Sequence, residues 1–208
     1  MGIINVITIA REYGSGGRTV GHMIADKLGF RYIDKEILRI ASDESGINEK
    51  LFAKADEEVK LSIFDRLSNK KYKDRWESPE SGRFISNDNL FKFQSEAIEK
   101  LSEEGNCVIV GRCADYILRE KKNVLKAFIH SPMSDRIDRI MELSPLDSQE
   151  AASQINKIDS HRAQYYEYYT NRKWDCAENY DICLNTGALS FEQCRDIIID
   201  YMNICEKI

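Results

Sequence analysis

A glycine-rich stretch near the start of the chain has the residue types that bind phosphate. It follows an apolar, β-branched run at residues 6–10, and apolar residues repeat at helical spacing over 20–28. Glycine permits positive φ and lets backbone N–H groups approach an anion closely. The N-terminus of a following helix adds free N–H groups and the positive end of its dipole. The order strand, loop, helix therefore predicts a phosphate site at Gly14, Ser15, Gly16 and Gly17.

This stretch matches the phosphate-loop pattern G-x-x-x-x-G-K-[ST] in part. The four fixed positions are occupied, in order, by Glu12, Gly17, Arg18 and Thr19. On this alignment Thr19 would place its hydroxyl on Mg²⁺, and Arg18 would reach the β- and γ-phosphates of ATP. Arg18 keeps the positive charge of the lysine, although a planar guanidinium differs in geometry from an ammonium. A glycine-rich turn without a phosphate role is the alternative interpretation.

Charged residues follow two other predicted strands. Asp34 ends a strand predicted at 30–34, and Arg112 follows a continuous apolar run at 107–110, with Asp115 close behind it. Ligands of open α/β sheets bind at the carboxyl ends of the strands, where the phosphate loop also lies. These three residues are therefore candidates for ligand binding. Asp34 is also suited to cap the helix that follows it, and the two roles are compatible.

Two helices late in the chain carry further arginines. The helix predicted at 132–143 has Arg136 and Arg139 three residues apart, and the helix predicted at about 148–170 carries Arg162. Side chains three apart on a helix share a face. Such a helical hairpin could close over a phosphate site. Two surface helices with ordinary ion pairs are the alternative.

Five predicted strands alternate with helices along the chain. The last two strands are predicted at 124–130 and 180–185. This alternation predicts a three-layer α/β/α fold around a five-stranded parallel sheet. The 208 residues suit a single domain, 1–208, with an inserted lobe in the charged segment at about 45–90.

Composition and charge argue against several classes of protein. The chain has 30 Lys and Arg against 35 Asp and Glu, a net charge of −5, so we expect no nucleic-acid partner. The six cysteines form no C-x-x-C pair, so a zinc site is not expected. No apolar run nears the length of a membrane span and no leader pattern opens the chain. We therefore expect no membrane partner and a cytoplasmic protein with reduced thiols.

Several stretches along the chain resemble one family. They are Ala10-Arg11-Glu12-Tyr13-Gly14-Ser15-Gly16-Gly17-Arg18, Tyr32-Ile33-Asp34, Gly111-Arg112, and the late Trp174 with Asn179-Tyr180-Asp181. On these motifs the chain resembles the cytidylate kinases, and more closely the cytidylate kinase-like family of bacterial proteins, over essentially its whole length. The resemblance implies a nucleoside monophosphate kinase fold. In that fold the segment at about 45–90 would bind the acceptor, and the segment at about 133–165 would form a lid.

The resemblance also implies roles for single residues. The implied acceptor-binding residues are Asp34, Arg39, Arg112, Asp115, Asp159 and Arg162. The implied catalytic residues are Arg18, Arg139 and Arg162, and Arg136 joins the loop in binding ATP. Two departures from the family pattern stand out, Arg18 in place of lysine and Cys113 in place of the aspartate after Gly-Arg.

These features predict ATP- and Mg²⁺-dependent phosphoryl transfer to a small acceptor. The leading acceptor is a nucleoside monophosphate such as CMP or dCMP. An acceptor phosphate is itself the nucleophile, which fits a sequence without a Ser-His-Asp or Cys-His arrangement. A nucleotide-binding sensor without turnover is one alternative, which the missing lysine favours. A kinase for a non-nucleotide metabolite on the same fold is the other, and the oligomeric state is not predicted.

Overall fold

The computed structural model describes residues 3–34, 37, 41 and 87–206, with backbone only at 87, 88 and 206. Its strands are β1 (Val6–Arg11), β2 (Arg31–Ile33), β3 (Cys107–Val110), β4 (Val124–His130) and β5 (Ile182–Asn185). Its helices are α1 (Gly17–Leu28), α2 (Asn87–Glu104), α3 (Ala114–Ile117), α4 (Met133–Leu143), α5 (Ser148–Thr170) and α6 (Phe191–Glu206), with a 3₁₀ turn at Ala177–Asn179. Arg39 and nearly all of the predicted lobe at 45–90 lie outside the described residues.

The five strands form one parallel sheet in the order β2-β3-β1-β4-β5. β1 lies at the centre, because Val6 is in register with Cys107 of β3 on one side and with Val124 of β4 on the other. All carboxyl ends therefore meet at one edge, and those of β1 and β3 are neighbours. The predicted five-stranded parallel sheet is confirmed.

Helices pack on both faces of this sheet. On one face α1 and α6 cover side chains that include Ile7, Ile9, Val108, Val110 and Ile129. On the other face α2 and α3 cover the alternate side chains, which include Val6, Cys107, Ile109 and Val124. Burial on both faces explains why the strands are continuous apolar runs rather than alternating ones. The predicted three-layer arrangement is confirmed.

Helices α4 and α5 form a hairpin at the carboxyl edge of the sheet. The break between them ends at Asp147, which caps α5 by accepting hydrogen bonds from Gln149 N and Glu150 N. Near that turn the two helices pack through an apolar cluster of Ile140, Ala151 and Ile155. At its other end α5 joins an aromatic cluster on β4. Tyr165 and Tyr166 of α5, and Trp174 and Tyr180 that follow it, are buried together with Phe128. The hairpin is therefore anchored beside the phosphate loop.

None of the described helices is both long enough and apolar enough to span a lipid bilayer.

Candidate active site

The loop between β1 and α1 has the geometry of an anion cradle. Gly14 and Gly16 have φ of +80° and +81°, a region that glycine enters without steric cost. Gly16 caps α1 without a side-chain hydrogen bond, and the hydrogen bond from Val20 N to Gly16 O opens the helix ladder. The N–H groups of residues 17–19 precede that bond, so they are available to an anion at the positive end of the helix dipole.

Glu12, at the first glycine position of the pattern, serves to hold the loop. Its carbonyl accepts a 2.9 Å hydrogen bond from Ser15 Oγ, which closes the turn. Its carboxylate accepts a hydrogen bond from Ser131 N at 3.0 Å and lies 3.5 Å from Nε of Arg136. The Glu12 carboxylate thus interacts with Ser131, just before α4, and with Arg136 of α4.

Arg136 and Asp159 join the helical hairpin to the loop. Arg136, which is buried, donates to Asp159 at 2.6 Å and to the Tyr13 carbonyl at 3.4 Å. The other oxygen of Asp159 accepts a 2.8 Å hydrogen bond from Tyr13 N. Asp159 also lies 3.5 Å from Arg162, one helical turn further on. Asp159 and Arg136 together fix the loop, and Asp159 orients Arg162.

Arg139 lies on the side of the loop that faces β5. Its guanidinium donates to the carbonyl and hydroxyl of Thr186 at 2.8 and 2.9 Å, and to Gly14 O and Ser131 Oγ at 3.3 Å. Its carbon centre lies 5.1 Å from the ring centroid of Phe191. Thr186 Oγ1 in turn donates to Ser15 O at 2.7 Å. These contacts make Arg139 a positioning residue for the loop.

A cavity of about 200 Å³ opens next to the loop, at the carboxyl ends of β1 and β3. Its charged lining consists of Arg11, Arg18, Arg112, Arg162, Asp34 and Asp115. Four of the predicted acceptor-binding residues therefore line it, and Asp159 borders it through Arg162. The remaining predicted acceptor residue, Arg39, is not described.

Positive charge exceeds negative charge in this cavity. Asp34 pairs with Nε of Arg18 at 2.8 Å and lies 3.9 Å from Arg11. Arg162 donates to the Arg11 carbonyl at 3.0 Å. Among the described lining residues, four arginines thus face two carboxylates, Asp34 and the buried Asp115. A bound anion would balance this excess.

Burial lowers the pKa of three of these arginines. Burial, followed by the positive charge of Arg162, lowers the pKa of Arg11 to about 9, and Asp34 offsets part of this effect. Burial is also the main cause that lowers the pKa of Arg112 and of Arg162. With a pKa of about 9, Arg11 stays protonated at neutral pH. Each of the three arginines has lost hydration that an anionic ligand can replace.

The backbone at the end of β3 is held in an uncommon conformation. Arg112 and Cys113 have φ of +60° and +55°, after Gly111 at +78°. Non-glycine residues with positive φ cost free energy, and such residues concentrate at functional sites. This turn aims Arg112 into the cavity.

The far wall of the cavity is aromatic. Tyr165, Tyr166 and Trp174 line it, together with Asp115. Asp115 is buried and accepts a 2.6 Å hydrogen bond from the Tyr166 hydroxyl. Burial raises the pKa of Asp115 to about 6, and the hydrogen bond from Tyr166 opposes that rise. The tyrosines therefore pack in the aromatic cluster and also form a surface of the cavity.

Arg11 was not among the residues that the sequence singled out. It ends β1 at the same sheet edge as Asp34 and Arg112. The rule that selected those two residues, a charged side chain at the carboxyl end of a buried strand, also selects Arg11. The anchoring roles of Tyr13 and Thr186 had no sequence signal, because both depend on tertiary contacts.

Comparison with known proteins agrees with this geometry. A family model described as the cytidylate kinase-like family matches residues 6–188. The cytidylate kinase of Methanococcus aeolicus is 25% identical over 197 residues, which cover 93% of this chain and 94% of that protein. The cytidylate kinase of Methanocaldococcus jannaschii is 24% identical, with 97% and 99% of the two chains covered.

Solved structures extend the comparison. A crystal structure of an uncharacterized protein from Eubacterium ventriosum aligns with a TM-score of 0.69 and 27% identity, over 95% of this chain and 98% of that one. A shikimate kinase from Bacteroides thetaiotaomicron aligns with a TM-score of 0.52 and 13% identity, over 97% and 98%, and so shares the fold. The family match spans most of the chain and its named relatives are kinases. The chain belongs to the cytidylate kinase-like family and is a phosphotransferase.

Proposed function

We propose that this protein transfers the γ-phosphoryl group of ATP to a small phosphorylated acceptor, a nucleoside monophosphate such as CMP or dCMP. One observation carries the proposal. A cavity lined by four arginines opens at the carboxyl edge of the sheet, beside the N-terminus of α1. Glycines precede that N-terminus, and no side chain caps it. Two anion sites side by side suit a phosphate donor and a phosphate acceptor.

The loop residues would bind the ATP phosphates. The N–H groups of residues 17–19 lie ahead of the α1 hydrogen-bond ladder, and the glycines allow close approach. Thr19 is exposed in the first turn of α1, where its hydroxyl could join a magnesium ion. Mg²⁺ at such sites takes most of its ligands from phosphates and water, and it supplies charge neutralisation to the transferred group.

The cavity would bind the acceptor phosphate. Arg18, Arg112 and Arg162 each present positive charge to it. Asp34 orients Arg18 and Asp159 orients Arg162. We further propose that the hairpin of α4 and α5 serves as the lid. Its arginines Arg136 and Arg139 act by holding the loop, since their donors contact loop and β5 groups.

The chemical step needs little from the protein beyond position and charge. An oxygen of the acceptor phosphate forms the new bond to the γ-phosphorus. The bond from the γ-phosphorus to the bridging β–γ oxygen breaks, and its electron pair stays on ADP. Arginines around the transferred group stabilise its charge in the transition state. No general base is required when the acceptor phosphate is a dianion.

The aromatic wall supports a nucleotide acceptor. Tyr165 and Trp174 offer ring faces and edges to a planar base, and Asp115 offers a carboxylate to an exocyclic amino group. Cytosine carries such an amino group and uracil does not. Two relatives of similar length are named cytidylate kinase, which favours the same acceptor here.

A substrate panel tests the proposal. Purified protein with ATP and Mg²⁺ is given CMP, dCMP, UMP, AMP, GMP and, as hydroxyl acceptors, shikimate and gluconate, and the phosphorylated products are separated and measured. We expect the highest kcat/KM with CMP or dCMP. Turnover only with a hydroxyl acceptor would favour the metabolite kinase, and ATP binding without any turnover would favour the sensor. Arg112→Gln should raise the KM for the acceptor, whereas Arg31→Gln, at the opposite end of β2, should not.

A further inference from the structure

The side chain of Arg11 occupies the space that a side chain at position 17 would need. A Cβ built on Gly17 would lie 2.5 Å from Cβ and 3.0 Å from Cγ of Arg11. Real Cβ atoms do not approach that closely, so the two positions cannot both carry side chains in this geometry. Arg11 ends β1 and Gly17 begins α1. The side chain of Arg11, at the end of β1, thus fills the space beside Gly17, at the start of α1.

A second glycine lies along the same side chain. A Cβ on Gly111 would collide with Nη1 of Arg11. The side chain therefore runs from the start of the phosphate loop, past Gly17, to the end of β3. Its guanidinium lies over Gly111, beside Arg112 and Asp34. The lack of side chains at Gly17 and Gly111 leaves the space that the Arg11 side chain occupies.

Arg11 is also less engaged by protein acceptors than Arg18. The Arg18 side chain is 53% exposed, and its Nε lies 2.8 Å from Asp34. The Arg11 side chain is 14% exposed, and in the described part of the chain its ion pair with Asp34 is long, at 3.9 Å. Its Nε is buried and has no hydrogen-bond partner among the residues that the structure describes. A buried guanidinium with such weak pairing is stabilised by an anionic ligand.

Resting on the function proposed above, we propose that Arg11, rather than Arg18, takes the place of the phosphate-loop lysine and contacts the phosphoryl group in transfer. The pattern supports an exchange. When it is counted from Arg11, its first glycine is Arg11, its second glycine is Gly16, its lysine is Gly17 and its hydroxyl position is Arg18, so Thr19 lies one residue beyond that position. Compared with the pattern, the cationic side chain is at the end of the strand instead of at the start of the helix. The glycine is at the start of the helix instead of at the end of the strand.

The position of Arg11 fits this role. Its carbonyl is at the entrance of the loop that binds the donor, and its guanidinium lies in the cavity that binds the acceptor. It therefore spans the interval between the two phosphates that react. A guanidinium there can donate to an oxygen of the γ-phosphoryl group and stabilise the charge that develops on it.

Substitution of Arg11 tests the proposal. Arg11→Gln keeps a polar side chain but removes the charge, and we expect kcat to fall by about 10²–10³-fold, as for loss of one preorganised donor. Arg18→Gln should lower kcat less, and Arg11→Lys should recover part of the activity. Arg31→Gln is the matched control, because Arg31 pairs with Glu104 at the opposite edge of the sheet. A wild-type kcat in Arg11→Gln, or a larger loss in Arg18→Gln, would overturn the proposal.

A reciprocal exchange tests the shared space. Gly17→Lys alone should lower the Tm, because its Cβ meets Arg11. The double variant Arg11→Gly/Gly17→Lys should regain the lost Tm and have at least about tenfold higher kcat than Arg11→Gly, since a lysine returns to the pattern position. A double variant that folds as well as the wild type but is no more active than Arg11→Gly would contradict the exchange.

A binding measurement separates this proposal from the proposed function. Calorimetry with Mg²⁺ and either ADP or β,γ-imido-ATP gives the contribution of the γ-phosphate to affinity. The wild type should prefer the triphosphate, and Arg11→Gln should lose that preference while Arg31→Gln keeps it. This result would support Arg11 even if no acceptor in the panel were phosphorylated. An unchanged preference in Arg11→Gln would count against Arg11 even in an active kinase.

Discussion

The backbone N–H of Tyr13 donates a 2.8 Å hydrogen bond to Oδ1 of Asp159, so helix α5 holds the phosphate loop directly. Oδ2 of the same carboxylate pairs with Arg136 at 2.6 Å. The side chains of Asp159 and Arg136 are 17% and 8% exposed. One carboxylate therefore satisfies a loop amide and a buried guanidinium together, and links the predicted lid to the donor site.

Removal of this carboxylate should destabilise the protein. Among the described residues, Asp159→Ala leaves the buried Arg136 with only the more distant Glu12 as an ionic partner. We expect a loss of about 3 kcal/mol in the free energy of unfolding. Asp159→Asn should lose less, because its amide oxygen can still accept from Tyr13 N. Urea denaturation measures both. Glu104→Ala, which breaks the exposed pair with Arg31, is the control and should cost far less. Equal losses in Asp159→Ala and Glu104→Ala would show that the link carries little energy.

Gly16 should be far less tolerant of substitution than Gly29. Both have positive φ, +81° and +68°, but a Cβ on Gly16 would collide with the Phe191 ring, whereas nothing lies within 4 Å of one on Gly29. Gly29→Ala therefore measures the backbone cost alone, about 1 kcal/mol. Gly16→Ala adds overpacking, for a total of about 3 kcal/mol. Similar values for the two variants in chemical denaturation would contradict the packing of Phe191. A bulky residue at Gly16 should therefore destabilise the fold, in addition to any effect on the proposed phosphate site.

Asp115 should make stability depend on pH. Burial raises its pKa from 3.8 to about 6, so the folded state binds the proton more tightly than the unfolded state. The resulting stabilisation is full below about pH 4 and is lost as the pH rises through about 6, a change of about 3 kcal/mol. Asp115→Asn cannot ionise. Its stability relative to the wild type should therefore increase from pH 4 to pH 7, as measured by urea denaturation at each pH. Parallel profiles for the two proteins would contradict the raised pKa.

The elements of the fold were largely predictable from the sequence, for identifiable reasons. β3 and β4 are apolar runs bounded by glycine or polar residues, and the predicted strand at 124–130 coincides with Val124–His130. The helix predicted at about 148–170 is observed as α5 at Ser148–Thr170. The order of strands in the sheet was not predictable in the same way. It depends on which runs pair, and local sequence does not encode that choice.

The site was predictable where a residue ends a strand and not where it depends on packing. Asp34 and Arg112 were selected by position, and both line the cavity. Arg18 was aligned with the lysine of the phosphate-loop pattern because two of the four fixed positions then match and a third keeps its charge. Only the three-dimensional structure shows that Arg11 fills the space beside Gly17. The resemblance implied a catalytic role for Arg139. Its hydrogen bonds to Thr186, which lies 47 positions away in sequence, had no local sequence signal.

On the proposed function, the phosphate loop and the arginine-lined cavity form one site, which holds a donor triphosphate and an acceptor monophosphate end to end. Calorimetric titration with a bisubstrate analogue, adenosine and cytidine joined through five phosphates, tests it most directly. One molecule that fills both halves avoids the entropy loss of binding two, so it should bind at least about 10²-fold more tightly than ATP or CMP alone. Arg112→Gln should reduce that advantage, and Arg31→Gln should leave it intact. An analogue that binds no more tightly than ATP would show that the two halves do not act as one site.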